Sequence, residues 1–377
     1  MTFTHHDCKI DLSMKIAMMT RWNVPSGQSS HAEPIGRAWL EMGHELKIFA
    51  PAGMDISLLY QQDEPFIRRC YVQDIWGERE RSDFFFDQRP FLEEDYDIFL
   101  VEMAAIMPMP ELLEIFPEIK RKSKTILVVH ETELPNDPNW YKFDWDAIVC
   151  FDERYKEFLV KAFPEEKIAI IPFPCHPPMQ GDKKEARKLL GLPLDKKIVF
   201  AYGADSVYFH AELFPVMEKL SRDYPVLFLL LSHHTQTAVS GLKSMPKFFM
   251  LRDEMPTDDK LYTYLHASDA YIYYGRVSID GIGVSSCVTT CLGAGRPVLV
   301  PGYCNFFDLA GKEVIKYSDF QDLEQKLRGI FDGTESVGES LAAAEGYAIR
   351  NSSEEIASQF IKLFEELRGE RRTRQLK

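Results

Sequence analysis

The chain has 377 residues, 45% of them hydrophobic and 27% charged, with a net charge of −14. This length suggests two domains, each large enough for its own core. The acidic balance excludes binding to a phosphate backbone as the main task, because nucleic-acid binders need a basic face. The longest apolar run, Val226 to Leu231, is too short to cross a bilayer, so no stable membrane insertion is expected. The seven cysteines are scattered, mostly within apolar stretches. They read as a reduced, cytoplasmic set without a disulfide framework. Cys287 and Cys291 stand four apart without a second pair, which fits packing better than metal ligation, and no metal site is expected.

Residues 1–13 read as a disordered leader. From there the pattern alternates strand and helix twice. Lys15 to Met19 is a short apolar strand, and a helix follows from about Ser30 to Met42, closed by Gly43. Ser30 and Glu33 have capping-box spacing, with Pro34 as an alternative mark of the first turn. Apolar runs recur at Leu46 to Phe49, Ile98 to Val101, Thr125 to Val129, Ala147 to Phe151 and Ile168 to Ile171. Such runs suit parallel strands buried on both faces, and amphipathic stretches between them complete a doubly wound sheet over residues 14–172. Pro172-Phe173-Pro174-Cys175-His176-Pro177-Pro178 cannot be regular structure and reads as a linker. A second α/β series then occupies residues 173–347, with strands at Ile198 to Tyr202, Val226 to Leu231, Phe248 to Leu251, Ala270 to Tyr274 and Pro297 to Val300. Residues 348–377 hold a final helix, expected to pack back on the first domain.

In open parallel sheets the ligand lies beyond the carboxyl ends of the strands. The residues that close each apolar run are therefore candidates: Thr20-Arg21, Glu102, His130 and Asp152 in the first half, then Gly203, Ser232, Arg252 and Gly275-Arg276. Glu102 and Asp152 fit caps of the helices that follow them. Gly27, in the loop before the first helix, would let a ligand approach the backbone. Asp280-Gly281-Ile282-Gly283 and Ser285 lie between an apolar strand and a helix. The small residues, the free N–H groups of the helix start and the carboxylate of Asp280 suit a phosphorylated sugar or nucleotide. Facing sheets would place this loop and the first-half candidates across one interdomain cleft.

Taken in order, these segments resemble the GT-B glycosyltransferases, most closely the large retaining family of bacterial and archaeal mannosyl- and glucosyltransferases. Lys15 to Thr20, the Gly27 loop, His31 and Gly43-His44-Glu45-Leu46 resemble that family's first strand, loop and helix. Thr125 to His130 resembles its strand ending in a donor-contacting histidine. Lys167 to Pro172 resembles its hinge strand, although Phe173-Pro174 stands where Asn-Gly is usual. Asp280 to Gly283 and Leu292 to Val300 resemble its donor loop and the following helix and strand. The resemblance implies two Rossmann-like domains facing across a cleft. It implies sugar transfer from a nucleotide sugar to an acceptor hydroxyl with retention, the acceptor being a glycan, a lipid-linked sugar or a small molecule. No further cofactor is implied. His130 and Asp280 take the catalytic roles. Gly27, Gly203, His210, Arg276, Gly281, Ile282, Gly283, Ser285 and Thr290 fall to the donor. The chain also departs from the pattern. Thr290 stands where the family carries its second glutamate, and Ala204 and His210 stand at or near its phosphate-clamping Arg and Lys. Arg276, Arg21 and Arg252 are candidate replacements. These departures support an alternative reading, a degenerate scaffold that binds a nucleotide or glycan without turnover.

Overall fold

The computed structural model describes residues 13–53, 61–73, 85–203, 211–232, 245–254, 256–274, 282–304 and 312–375, the last six as backbone. In the first half these residues form β1 (Lys15–Met19), α1 (Gly27–Glu41), β2 (Glu45–Pro51), β3 (Ile67–Tyr71), α2 (Arg89–Glu93), β4 (Ile98–Glu102), α3 (Met109–Lys122), β5 (Lys124–Val128), β6 (Ala147–Cys150), α4 (Glu153–Leu159) and β7 (Ile168–Ile170). In the second half they form α5 (Lys183–Leu189), β8 (Lys197–Tyr202), α6 (Phe214–Leu220), β9 (Val226–Ser232), β10 (Phe249–Asp253), α7 (Asp258–Ala267), β11 (Ala270–Ile272), α8 (Ser286–Cys291), β12 (Val298–Pro301), β13 (Ile315–Tyr317), α9 (Phe320–Asp332), α10 (Gly338–Arg350) and α11 (Ser353–Gln375).

The strands make two sheets, ordered β3-β2-β1-β4-β5-β6-β7 and β10-β9-β8-β11-β12-β13. Every pairing within them is parallel. The central strands show why. Each residue of β4, β5 and β9 is buried, which only helices on both faces of a sheet can achieve. Strand order reverses between β1 and β4 and again between β8 and β11. Such reversals open a crevice beyond the strand ends, because the two flanking connections leave toward opposite faces.

Two local expectations change. The first helix starts at Gly27, three residues early, because the Ser26 hydroxyl accepts the Ser29 N–H at 3.1 Å. Ser30 instead donates its hydroxyl to the Ser26 carbonyl, Glu33 reaches back to the Asn23 N–H, and Pro34 lies inside the helix. Strands β3 and β13 have no counterpart in the sequence reading. The first carries Arg68 and Arg69 in a five-residue edge strand, and the second has three residues.

The linker after β7 is pinned rather than loose. Phe173 and Cys175 are buried, and the Cys175 N–H donates to the Asn351 carbonyl at 2.7 Å. The chain thus crosses between domains twice at one place. Beyond the second crossing, α11 packs on α1: the Trp39 indole donates to the Ala357 carbonyl at 3.1 Å and its ring meets Phe360 and Phe364. The six described cysteines form no disulfide. No helix among the described residues is long and apolar enough to cross a membrane.

Replacing Trp39 by alanine removes a fully buried indole from the α1–α11 contact. We expect a loss of about 3–5 kcal/mol in the unfolding of the first domain, read by urea titration. An unchanged midpoint would show that α11 is not docked there in solution.

Candidate functional site

The carboxyl ends of β4 and β5, beside the first reversal of strand order, carry Glu102 and, two residues past its strand, His130. Glu102 does not cap a helix. Its side chain is fully buried, and each carboxylate oxygen holds a histidine: Oε1 to His31 Nδ1 at 2.9 Å and Oε2 to His130 Nε2 at 2.8 Å. Its backbone carbonyl accepts the Gln28 side-chain amide at 2.9 Å. Gln28 and His31 both lie in the first turns of α1. Asp152 does act as a cap, accepting the Arg154 and Tyr155 N–H groups.

The electrostatics follow from this arrangement. Burial alone would push the Glu102 carboxyl up, but the charge attraction and hydrogen bonds of His31 and His130 outweigh it and hold the group down at about 2. Burial pushes His31 down. His31 Nδ1 donates to the carboxylate, and Nε2 is the ring's other polar atom. That nitrogen is buried without a partner among the described residues, and the ring packs against Phe151, Phe173 and Phe360. The three ligating atoms also lie within 4.8 Å of one another, a spacing open to a metal ion. Two direct hydrogen bonds already occupy it.

His130 is the least buried member of this trio, its side chain 10% exposed. Its backbone is fixed as well. Glu131 accepts the His130 N–H at 3.1 Å, and its other oxygen accepts the Ala105 N–H and the Trp140 indole at 2.9 and 3.2 Å. Phe173 explains one unusual feature of the linker: it forms a wall of the histidine site.

Across the cleft, Gly27 at the start of α1 faces the start of α8. A Cβ built on Gly27 would lie 3.9 Å from Ser286 Oγ. Ser285 caps α8, accepting the Val288 N–H at 3.4 Å. This helix has six residues, so its dipole is small, whereas α1 has fifteen. Ile282 packs partly buried against the core, and Gly283 is half-buried. Gly203 follows β8 and donates its N–H to the Leu231 carbonyl at 3.3 Å. The Thr290 carbonyl accepts the Tyr262 hydroxyl at 2.8 Å. Thr290 lines a cavity of about 490 Å³ between the domains, with Asn23, Glu33, Arg37 and Asp258. Asp280, Gly281, Arg276 and His210 lie outside the described residues.

Of the other candidate cations, Arg252 is engaged by the Tyr264 hydroxyl and the Leu190 carbonyl at 2.8 and 2.7 Å. Arg21, just past β1, donates Nε to Gln73 Oε1 at 2.8 Å and makes no ion pair among the described residues. Burial lowers its pKa, so an anion beside it would be favoured.

No family model matches the chain. Among solved structures it is similar to a glycosyltransferase from Rickettsia africae, at 14% identity and a TM-score of 0.66 over 94% of this chain and 98% of that one. It is similar to the pneumococcal O-GlcNAc transferase GtfA in complex with UDP and GlcNAc, at 11% identity and 0.65 over 94% and 99%. It is also similar to the catalytic domain of starch synthase IV from Arabidopsis thaliana bound to ADP and acarbose, at 14% identity and 0.60 over 94% and 99%. The fold is the GT-B glycosyltransferase fold, with two parallel-sheet domains as the sequence suggests.

Glu102 and Glu33 should imprint opposite pH dependences on stability. The folded pKa of Glu102 lies below its ordinary value of 4.5, so its contribution is complete above that value and is lost as pH falls toward about 2. Burial raises Glu33 to about 7, so its ionisation destabilises the folded state as pH rises from 4.5 through 7. Thermal unfolding from pH 3 to 8.5 should show Glu102→Gln less stable throughout, with a shallower acid limb. Glu33→Gln should lose less stability than wild type between pH 5 and 8. Parallel curves for wild type and either variant would remove that residue from the account.

Proposed function

We propose that the protein transfers a sugar from a nucleotide-sugar donor to an acceptor hydroxyl with retention. The observation that carries this reading is His130, held by a buried carboxylate at the carboxyl end of the first sheet, in the domain whose Gly27 meets the start of α8. The solved neighbours bound to UDP and to ADP add support at the level of the fold.

In this reading the donor lies across the cleft, its sugar between His130 and the loop that holds Asp280. The bond from the anomeric carbon to the leaving phosphate oxygen breaks through an oxocarbenium-like state. The bond to the acceptor oxygen forms on the same face, and the acceptor proton passes to the leaving phosphate. His130 orients the sugar and needs a fixed ring to do so, which Glu102 and Glu131 supply. Arg21 faces the charge that grows on the diphosphate. The mechanism calls on no metal or further cofactor, and the reaction suits a cytoplasmic enzyme. A second reading has one specific support: Thr290, at the family's second glutamate position, offers no carboxylate. Under it the cleft binds a nucleotide without turnover.

Thermal unfolding with a panel of nucleoside diphosphates and their sugars separates these readings from an empty scaffold, because a ligand bound to the folded state raises its stability. We expect a selective shift that Asp280→Ala abolishes. Turnover of the selected sugar nucleotide should fall about 10²-fold in His130→Ala and by about 10²–10³ in Arg21→Ala. A shift without turnover would favour the binding scaffold. No shift with any nucleotide would overturn both.

A further inference from the structure

The carboxyl edge of the second sheet carries an aromatic cluster that the reaction above does not use. Tyr274 lies two residues past β11, Tyr303 two residues past β12, Tyr317 ends β13 and Phe320 begins α9. Tyr303 is 50% exposed and Phe320 36%, while Tyr271 and Phe200 within the strands are fully buried. The Tyr274 and Phe320 rings lie 5.9 Å apart at 51°. Glu212, ahead of α6, accepts the Tyr274 hydroxyl at 2.5 Å. Tyr317 is 97% buried, and its hydroxyl has no hydrogen-bond partner among the described residues. The Gly302 N–H donates to the Tyr317 carbonyl at 2.7 Å, so the backbone next to Tyr303 is paired with the end of β13.

We propose that this cluster is a platform for a neutral saccharide, the acceptor end of a glycan. A pyranose has an apolar face of C–H groups and a rim of hydroxyls. The negative faces of aromatic rings attract C–H edges, and phenol tips and a carboxylate satisfy hydroxyls. The cluster offers both at once. A single exposed ring needs no explanation, but rings at three adjacent strand ends form a patch. The chain's net charge of −14 and the carboxylate of Glu212 oppose an anionic lipid headgroup here. The patch shares the sheet edge with the reversal between β8 and β11 but lies toward β12 and β13. A glycan reaching the reacting carbon would extend across it. The acceptor role rests on the transferase reading; saccharide binding itself does not.

Calorimetric titration of the full chain with neutral pentasaccharides of glucose, mannose and N-acetylglucosamine tests this. We expect at least one to bind, with affinity reduced about three- to tenfold in each of Tyr303→Ala and Phe320→Ala. Tyr303→Phe should keep most of the affinity, because it keeps the ring. Both residues are exposed, so the variants should unfold at the wild-type temperature and show the wild-type nucleotide shift. No binding by any of the saccharides, or equal binding by wild type and both alanine variants, would overturn the platform. A nucleotide shift without saccharide binding leaves the transferase reading standing and the platform refuted. Saccharide binding without any nucleotide shift does the reverse.

Discussion

The structure depends on one buried carboxylate. Taking an ion of this size out of water costs several kcal/mol even after relaxation, and Glu102 is fully buried. Two imidazole hydrogen bonds offset that cost, and each comes from a different element: His31 from α1 and His130 from the end of β5. The bonds form only if α1, β4 and β5 hold their places to within a few tenths of an ångström. The same bonds therefore stabilise the first domain and fix the orientation of the His130 ring. The phenyl rings around His31 keep water out, which strengthens the attraction inside.

That enclosure needs the rest of the chain. Phe151 belongs to the first sheet, but Phe173 comes from the linker and Phe360 from α11, which follows the entire second domain. The two crossings between domains are tied to each other by the Cys175 N–H and the Asn351 carbonyl. The wall of the histidine site and the strap between domains are thus one structure. Any change of angle between the domains must pass through residues that touch His31. The cavity between Glu33 and Asp258 lies beside this strap, so the charge on Glu33 bears on the same junction.

The parallel strands were legible because burial on both faces leaves continuous apolar runs in the sequence. His130 was legible as the polar residue that ends such a run. Glu102 was legible as a position but not as a role. A carboxylate after a strand reads as a helix cap, and nothing local reveals that its partner lies 71 residues earlier on α1. His31 appeared in the family resemblance without a task, since a buried histidine on a helix has no periodic signature of its partner. The helix start was misplaced because Ser26, Ser29 and Ser30 are all competent caps, and the choice falls to the backbone angle at Ser26. Strands β3 and β13 were hidden by charge and by shortness. The strand order, which sets the two crevices, comes from pairings between distant segments and leaves no local mark.

The departures from the family pattern gain a physical sense when they are read against these contacts. Phe173, where the resembled family has a small polar turn, forms a wall of the histidine site, its ring 5.2 Å from that of His31. The chain is acidic overall, so under the proposed reading long-range attraction of an anionic donor would be weak. Screening confines charge effects to roughly 8–10 Å at physiological ionic strength. Attraction must therefore be local. Among the described residues, Arg21 meets the requirement by position: it lies at the end of β1, beside the first reversal of strand order, with an amide rather than a carboxylate as its partner. A carboxylate partner would cancel the field that a phosphate needs, whereas the Gln73 amide fixes the guanidinium in place and leaves its charge unspent.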